Sequence, residues 1–309
     1  MTNANVTDKN FTQVANFNIT VQDDIPVAFD ITRSTSVTNA ATNLTIVLDL
    51  SGSMTNTVTV GGVNMTRLAA EKLAAQQLID AYAAQGPVNV FVAGFANTNI
   101  AVQGGSVWKN VADAKSAIGA LQIPVNNTDE YFTNYDQGLT AARGGYSAAN
   151  IAGLHANAQD VLYFMTDGLP NRGAGGNGPG SVTGVTDPNG AVIGAGSGIS
   201  PAEEAAWQSF LKGGELNSSG EKITAFAVGV GPDVPSIGGV APLNPIAYDG
   251  VTGTDPAGTN AGQDKYTLVI GDFNDLSAAL LSTLITPPVS GNLLTDPSPV
   301  DGSFGADGG

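Results

Sequence analysis

The sequence has no cysteine, a single histidine and few basic residues. Without cysteine the chain has no disulfide and offers no thiolate to a metal ion or to nucleophilic catalysis. Lys and Arg number 11 against 27 Asp and Glu, which gives a formal net charge of −16. A field of that sign repels nucleic acid and anionic lipid, so we expect neither as a partner.

Long apolar runs are also missing. No stretch reaches the roughly eighteen apolar residues that a membrane-spanning helix needs, so we expect no membrane insertion. The first residues, Met1–Lys9, lack the basic start and apolar core of a signal peptide. If the protein is exported, we expect its secretion signal to lie outside this chain.

Motifs of common enzyme classes are absent as well. The G-x-x-x-x-G-K-[ST] phosphate loop and the G-x-S-x-G turn of many hydrolases do not occur. His155 lies in a stretch rich in Asn, Ala and Gly, which is typical of a surface or turn residue rather than a general base. The sequence therefore argues against an enzyme, with a metal-dependent hydrolase as the minor alternative.

The most informative stretch is Leu44–Met54. Its first five residues are aliphatic or β-branched and predict a strand buried on both faces. Asp49, Ser51 and Ser53 follow in a loop beyond the carboxyl end of that strand, where ligands bind in open α/β sheets. One carboxylate and two hydroxyls suit Mg²⁺, Ca²⁺ or Mn²⁺. The same residues are also common in turns and caps, so this motif alone leaves both interpretations open.

Two further segments favour the metal site. A second buried strand begins at Val161 and ends in Asp167, which repeats the pattern of the first motif. Two carboxylates at neighbouring strand ends would repel each other unless a cation or protons compensate. Thr133 precedes a helix predicted over about 134–142, where we expect its hydroxyl to cap the helix and to face the same sheet edge.

The remaining pattern alternates helices and strands. Helices are predicted at about 65–84, 111–121, 201–211 and 272–284, and strands at 88–95, 222–230 and 266–270, with a possible edge strand at 100–107. Core positions are predicted at Leu68, Leu73, Leu78, Phe91, Phe95 and Trp108. The alternation predicts an α/β fold with a doubly wound (Rossmann-like), mainly parallel sheet and helices on both faces.

Two long Gly- and Pro-rich insertions, 169–200 and 231–264, interrupt this alternation, and connections of such length often carry function. Residues 1–38 predict an N-terminal strand and linker, and 39–288 the α/β domain. Residues 289–309 form a Gly- and Asp-rich tail. Candidate ligands for additional structural Ca²⁺ are Asp23, Asp24, Asp296, Asp301 and Asp307.

Three separated motifs resemble the metal-ion-dependent adhesion site of von Willebrand factor type A domains: Asp49-x-Ser51-x-Ser53, Thr133 and Asp167-Gly168. The resemblance covers about residues 40–286. It implies that the two serines ligate the metal directly, the threonine directly or through water, and the two aspartates mainly through water. It also implies Mg²⁺ or Ca²⁺ at the site and a partner that completes the coordination.

The flanking segments resemble parts of large Gram-negative surface adhesins, with the tail similar to the segment that leads into their repeats-in-toxin calcium repeats. This resemblance implies an extracellular, cell-surface module of a longer chain, monomeric itself, that binds a protein or glycan through a carboxylate or other oxygen, as in biofilm formation. A calcium-stabilised structural spacer is the alternative. The two insertions depart from the family pattern, so ligand preference is not transferred to this chain.

Overall fold

The computed structural model describes residues 41–97, 99–101, 107–124, 132–171, 199–232, 234, 240–254 and 266–285. All of them lie in one compact unit, Thr38–Pro287. Several predictions fall outside the described residues: the segments 1–38 and 289–309, residues 172–198 of the first insertion, and the candidate Ca²⁺ ligands Asp23, Asp24, Asp296, Asp301 and Asp307.

Strands and helices alternate along most of this unit. The strands are β1 (Thr42–Asp49), β2 (Thr57–Val60), β3 (Val63–Thr66), β4 (Val88–Phe95), β5 (Asn99–Ala101), β6 (Trp108–Lys109), β7 (Gln159–Thr166), β8 (Ile223–Val230), β9 (Tyr248–Asp249) and β10 (Thr267–Ile270). The helices are α1 (Arg67–Gln85), α2 (Val111–Ala120), α3 (Tyr135–Arg143), α4 (Pro201–Leu211), α5 (Val240–Leu243) and α6 (Phe273–Ser282).

The central sheet has the strand order β10-β8-β7-β1-β4-β5, with β6 beside β4 and β9 beside β8. The strands from β10 to β4 pair in parallel, whereas β5, β6 and β9 are antiparallel to their neighbours. The chain leaves β1 toward β4 and later returns to β7 on the other side of β1. The carboxyl ends of β1 and β7 therefore flank a topological switch point, the usual ligand position in such sheets.

Adjacent residues of β7 show that helices cover both faces of the sheet. The Tyr163 hydroxyl lies 3.1 Å from the Tyr82 hydroxyl of α1. The next residue, Phe164, packs edge-to-face on Tyr135 of α3, with ring centroids 5.2 Å apart. Successive strand residues point to opposite faces, so α1 and α3 lie on opposite sides. This arrangement confirms the predicted doubly wound α/β fold.

Helix α1 buries a face that combines alanines with large apolar and two charged side chains. It begins at Arg67, two residues later than predicted. The hydroxyl of the preceding residue, Thr66, caps the helix by accepting a hydrogen bond from the Ala69 backbone N–H at 3.1 Å. Leu68 and Leu78 are buried as predicted, but the prediction for Leu73 is wrong, because 39% of it is exposed. The buried face follows the alanines, which let the helix lie close to the sheet, and Leu73 lies well off that face.

A β-hairpin separates the loop after β1 from α1. Its strands β2 and β3 pair antiparallel, and the two residues between them, Gly61 and Gly62, have φ values of 57° and 80°. Positive φ at both positions is what a type I′ hairpin turn requires. This hairpin was not predicted from the sequence. Asn274 at the start of α6 binds the hairpin, donating to the Thr59 carbonyl and accepting from the Gly61 N–H, both at 2.9 Å.

The second insertion, 231–264, is more regular than predicted. It contains α5 and β9, and the carboxylate of Asp249 is 7% exposed. Burial opposes ionisation of this group, but hydrogen bonds from the hydroxyls of Thr252 (2.7 Å) and Tyr266 (3.0 Å) outweigh it and hold the pKa of Asp249 below its ordinary value. These hydrogen bonds give Asp249 a structural role.

Asp160 is a buried carboxyl group near the amino end of β7. Burial, with a smaller contribution from Glu221, raises its pKa from 3.8 to about 7, although Asn43 donates a hydrogen bond to Oδ2 at 3.3 Å. The folded chain therefore holds this proton more tightly than the unfolded chain, and the contribution of Asp160 to stability falls as pH rises from about 4 to 7.

We expect Asp160→Asn to come closest to wild-type stability at about pH 3, where Asp160 is protonated in both the folded and the unfolded chain. At pH 8 the variant should be more stable than wild type by about 1–3 kcal/mol, because it has no buried charge to accommodate. Urea denaturation at a series of pH values measures the difference. A constant difference between variant and wild type from pH 5 to pH 8 would contradict the assignment.

Candidate metal site

The carboxylate of Asp49 is fixed between two strands at the switch point. Its exposed fraction is 0%. The Ser51 backbone N–H donates to Oδ1 at 2.7 Å, and the Thr166 hydroxyl at the end of β7 donates to Oδ2 at 2.6 Å. Buried Met54 anchors the short 3-10 turn Gly52–Thr55 that follows. The loop is thereby held against the sheet edge.

Two serine hydroxyls connect this loop to Asp167. The Oγ atoms of Ser51 and Ser53 lie 3.1 Å apart, and the Ser53 hydroxyl donates to Oδ1 of Asp167 at 2.6 Å. Ser51 and Asp167 are buried, with exposed fractions of 0% and 1%, whereas Ser53 is partly exposed. The set of oxygen atoms therefore opens to solvent on the Ser53 side.

The other oxygen of Asp167 is held by a buried cation. Arg67 Nη1 lies 2.9 Å from Asp167 Oδ2, and the two side chains are 9% and 0% exposed. One turn further along α1, Glu71 is fully buried, and neither of its carboxylate oxygens makes a hydrogen bond of normal geometry within the described residues.

Thr133 lies beside the same loops, but it does not have the predicted capping role. Asn134 is the N-cap of α3, with its Oδ1 accepting from the Gln137 N–H at 3.4 Å. Thr133 is 3% exposed. Its backbone N–H donates to Asn171 Oδ1 at 2.9 Å, and its carbonyl accepts from the Asn171 N–H at 3.0 Å. These bonds tie the start of α3 to the loop that carries Asp167.

The structure thus brings four of the predicted residues, Asp49, Ser51, Ser53 and Asp167, into one hydrogen-bonded set, whereas the bonds of Thr133 are backbone bonds to Asn171, in the loop that follows Asp167. The residues that the sequence analysis missed are Thr166, Arg67, Glu71, Tyr135 and Asn171. Tyr135 also fastens the third loop, because its hydroxyl donates to the Gly168 carbonyl at 2.8 Å.

A signal for the charged pair was present in the sequence. Arg67 and Glu71 are four residues apart, and the buried positions Ala75 and Ile79 continue the same spacing along α1. A charged pair that extends the buried face of a helix indicates a polar cluster under that end of the helix, since charged groups are rarely buried without partners.

The buried carboxylates raise each other's proton affinity. Burial, and then the charge of Asp167, raises the pKa of Asp49 from 3.8 to about 7. Burial, followed by the charges of Asp49 and Asp167, raises the pKa of Glu71 well above its ordinary value, and the nearby backbone of Asp49 offsets part of that rise. Three carboxylates and one guanidinium leave two formal negative charges in a space that solvent reaches poorly.

This chemistry fits a hard divalent ion. Hydroxyl and carboxylate oxygens are the ligands that Mg²⁺ and Ca²⁺ prefer, and a divalent ion matches the charge of the set. Within the described part of the chain, no three His, Cys, Asp or Glu side chains lie close enough together to hold a metal ion. A metal site here must therefore use the serine or threonine hydroxyls.

The fold and this edge define a doubly wound α/β domain with an oxygen-rich, negatively charged site at its switch point. Similar solved structures include two von Willebrand factor type A domains and a mussel byssus protein. The domain of the type V pili tip protein Mfa5 from Porphyromonas gingivalis is 14% identical with a TM-score of 0.49, over 82% of this chain and 99% of that one. Proximal thread matrix protein 1 from the mussel byssus is 16% identical with a TM-score of 0.48, over 79% and 47%. A domain from Catenulispora acidiphila is 19% identical with a TM-score of 0.44, over 79% and 42%.

Another structure of the mussel protein, 17% identical with a TM-score of 0.46 over 79% of this chain and 45% of that one, has a zinc-occupied metal-ion-dependent adhesion motif. This chain thus spans less than half the length of the mussel and Catenulispora proteins. No protein-family model matches the sequence, and no curated protein is similar to it. Among the helices of the described ranges, none has the length and apolar character to cross a membrane.

Proposed function

We propose that this chain is a divalent-metal-dependent adhesion module built on a von Willebrand factor type A domain. Asp49, Ser51, Ser53, Thr133 and Asp167 would hold Mg²⁺ or Ca²⁺, and an oxygen atom from a partner would complete the coordination. The observation that carries the proposal is the hydrogen-bonded set of Asp49, Ser51, Ser53 and Asp167 at the carboxyl ends of two neighbouring parallel strands.

The neutral hydroxyl ligands favour a metal ion that binds a partner over one that is only held within the protein. Hydroxyl ligands are neutral, so a metal that they hold keeps much of its charge and attracts an anionic oxygen. The partly exposed Ser53 marks the side from which such an oxygen can approach. A carboxylate of a protein or a sugar oxygen of a glycan has the required chemistry.

The histidine position supports a binding role over catalysis. The backbone N–H of His155 donates to Asn43 Oδ1 at 2.8 Å, near the amino end of β1. Asp49 lies at the other end of that strand, about 20 Å away at the usual rise per residue. The one histidine therefore cannot serve as a base at the proposed metal site.

The setting that we propose is extracellular. The resemblance of the flanking segments to Gram-negative repeats-in-toxin adhesins supports a module on the bacterial surface, monomeric within a longer chain, with a role such as biofilm formation. The net charge of −16 disfavours nucleic acid and anionic membrane as partners. The partner that we propose is an extracellular protein or glycan.

The test is a calorimetric titration of the metal-stripped chain with Mg²⁺ and with Ca²⁺. Wild type should bind one ion at this site. Ser53→Ala should weaken that binding by at least about tenfold, because it removes the solvent-side hydroxyl ligand and the bond to Asp167.

Ser282→Ala is the matched control. Its hydroxyl is exposed at the end of α6 and donates to the Ala279 carbonyl of its own helix at 2.7 Å. We expect this variant to bind metal like wild type. Equal metal affinity of Ser53→Ala and Ser282→Ala would refute the site.

A panel of glycans and extracellular proteins then separates adhesion from a spacer role. For an adhesion module, wild type captures a partner in Mg²⁺ or Ca²⁺ but not in EDTA, and folded Ser53→Ala fails to capture it. A Ser53→Ala variant that keeps partner binding but melts at a lower temperature would favour the calcium-stabilised spacer instead.

A further inference from the structure

Within the described structure, Glu71 is the charged residue whose burial is explained least by its contacts. It lies on α1, outside the loops that carry the predicted metal ligands, with an exposed fraction of 0%. Neither carboxylate oxygen makes a hydrogen bond of normal geometry in the described part of the chain. Burying a carboxyl group that is so weakly compensated lowers stability, which points to a further, positively charged partner for Glu71.

The residues around Glu71 indicate the kind of group with which it would interact. The groups that act most strongly on Glu71 are Asp49 and Asp167, both of which repel its negative charge. Lys72, next to it in sequence, compensates less. A cation placed among these carboxylates would turn each repulsion into a shared attraction.

Arg67 supplies only part of the positive charge that would compensate these carboxylates. Its guanidinium binds Asp167 Oδ2 at 2.9 Å, which leaves Oδ1 for Ser53. Without Glu71, the set of Asp49, Asp167 and Arg67 would carry one formal negative charge. With an ionised Glu71 it carries two, which equals the charge of one divalent ion.

We propose that Glu71 is a third carboxylate of the metal site, which does not ligate the ion but offsets the charge of Arg67 and so sets the affinity for a divalent cation. This inference rests on the metal site proposed above. It explains why a weakly compensated carboxyl group persists under the loops, since its cost in the metal-free chain is recovered when the ion binds. It also agrees with the lack, among the described residues, of any three His, Cys, Asp or Glu side chains placed to hold one ion together.

The test compares Glu71→Gln with wild type in the same calorimetric titration with Mg²⁺ and Ca²⁺. Gln has the same shape and no charge. We expect the dissociation constant to rise about tenfold to a hundredfold, as for other residues that act on a metal without ligating it. We also expect the metal-free variant to melt at the same temperature as wild type or higher, because a buried acid that is repelled by Asp49 and Asp167 has been removed.

Asp80→Asn is the matched control, since it removes one carboxylate from the same helix at an exposed position where Asp80 pairs with Lys115. It should bind metal like wild type. A double variant, Arg67→Met with Glu71→Gln, restores two net negative charges and should bind metal within about threefold of wild type if the charge balance is what matters.

The outcomes separate the two proposals. If wild type binds no divalent ion, both the metal site and the role of Glu71 are wrong. If wild type binds and Glu71→Gln binds equally well, only the role of Glu71 is wrong. A metal-free Glu71→Gln chain that melts well below wild type would also overturn it, because Glu71 would then be a structural partner rather than an uncompensated charge.

Discussion

Arg67→Met is expected to lower the free energy of unfolding of the metal-free chain by about 3–5 kcal/mol, the usual cost of breaking a buried ion pair from one side. The guanidinium of Arg67 lies 2.9 Å from Asp167 Oδ2, and the carboxylate is fully buried. Without Arg67, Asp167 keeps its burial and its proximity to Asp49 but loses its cation. Urea denaturation in EDTA at neutral pH measures the loss.

Divalent metal should restore part of this stability. The ion supplies the positive charge that the variant lacks, and a ligand that binds only the folded state stabilises it by an amount that grows with the logarithm of its concentration over its dissociation constant. We therefore expect Mg²⁺ or Ca²⁺ to raise the melting temperature of Arg67→Met more than that of wild type.

Lys115→Met is the matched control, because it also replaces a cation of an ion pair by methionine. Lys115 Nζ lies 2.7 Å from Asp80 Oδ2, but the side chains are 35% and 55% exposed. Exposed pairs contribute at most about 1 kcal/mol, so this variant should be near wild type in stability and gain no more from metal than wild type does. If both variants lose the same stability, the buried pair does not have the weight assigned to it.

The location of the site could be predicted because the ends of buried strands can be predicted from the sequence. An uninterrupted aliphatic run predicts a strand buried on both faces, and parallel strands bring their carboxyl ends to one edge. Asp49 and Asp167 each follow such a run, so their convergence required only the fold class. The short spacing to Ser51 and Ser53 then brought the hydroxyls along.

The charged residues beneath the loops were harder to predict. The phase of α1 was inferred from its leucines, and Leu73 was placed in the core although it is 39% exposed. The buried face of a helix packed tightly on a sheet can be lined by alanines, which carry little hydrophobic signal. With the phase set by the alanines, Arg67 and Glu71 would have been found on the buried face.

Two local details show the limits of spacing arguments. Thr133 and Asn134 are both good capping residues, and nothing in the sequence decides which one adopts the cap conformation, which in the folded chain is Asn134. In contrast, the hairpin had a clear signal, since alternating Thr and Val residues precede Gly61-Gly62. That pattern was readable and was overlooked.

Helix α3 depends on a glycine for its close approach to the sheet. A Cβ at Gly138 would lie 2.4 Å from Phe164 Cε2 and 3.1 Å from Phe95 Cδ1. The two rings stack on each other with centroids 4.8 Å apart and are fully buried, so neither has room to move away. We expect Gly138→Ala to lower the free energy of unfolding by about 3 kcal/mol, measured by urea denaturation.

The same substitution should weaken metal binding. The chain enters α3 through Thr133, whose backbone is bonded to Asn171 of the loop that carries Asp167. A helix displaced by the new methyl group shifts that connection away from the site. Calorimetric titration of the folded variant should show a higher dissociation constant for Mg²⁺ or Ca²⁺, although Gly138 contributes no ligand itself.

Gly119→Ala is the control for both effects. Gly119 lies in α2, and a Cβ there would meet no atom within 4 Å. Alanine should raise stability by about 0.5–1 kcal/mol through helix propensity and leave metal affinity unchanged. If Gly138→Ala lowers the free energy of unfolding and Gly119→Ala raises it, contact with the phenylalanine rings, rather than the loss of a glycine, positions α3. Equal and small effects would mean that the core under α3 can adjust, and that Thr133 does not depend on the close packing of this helix.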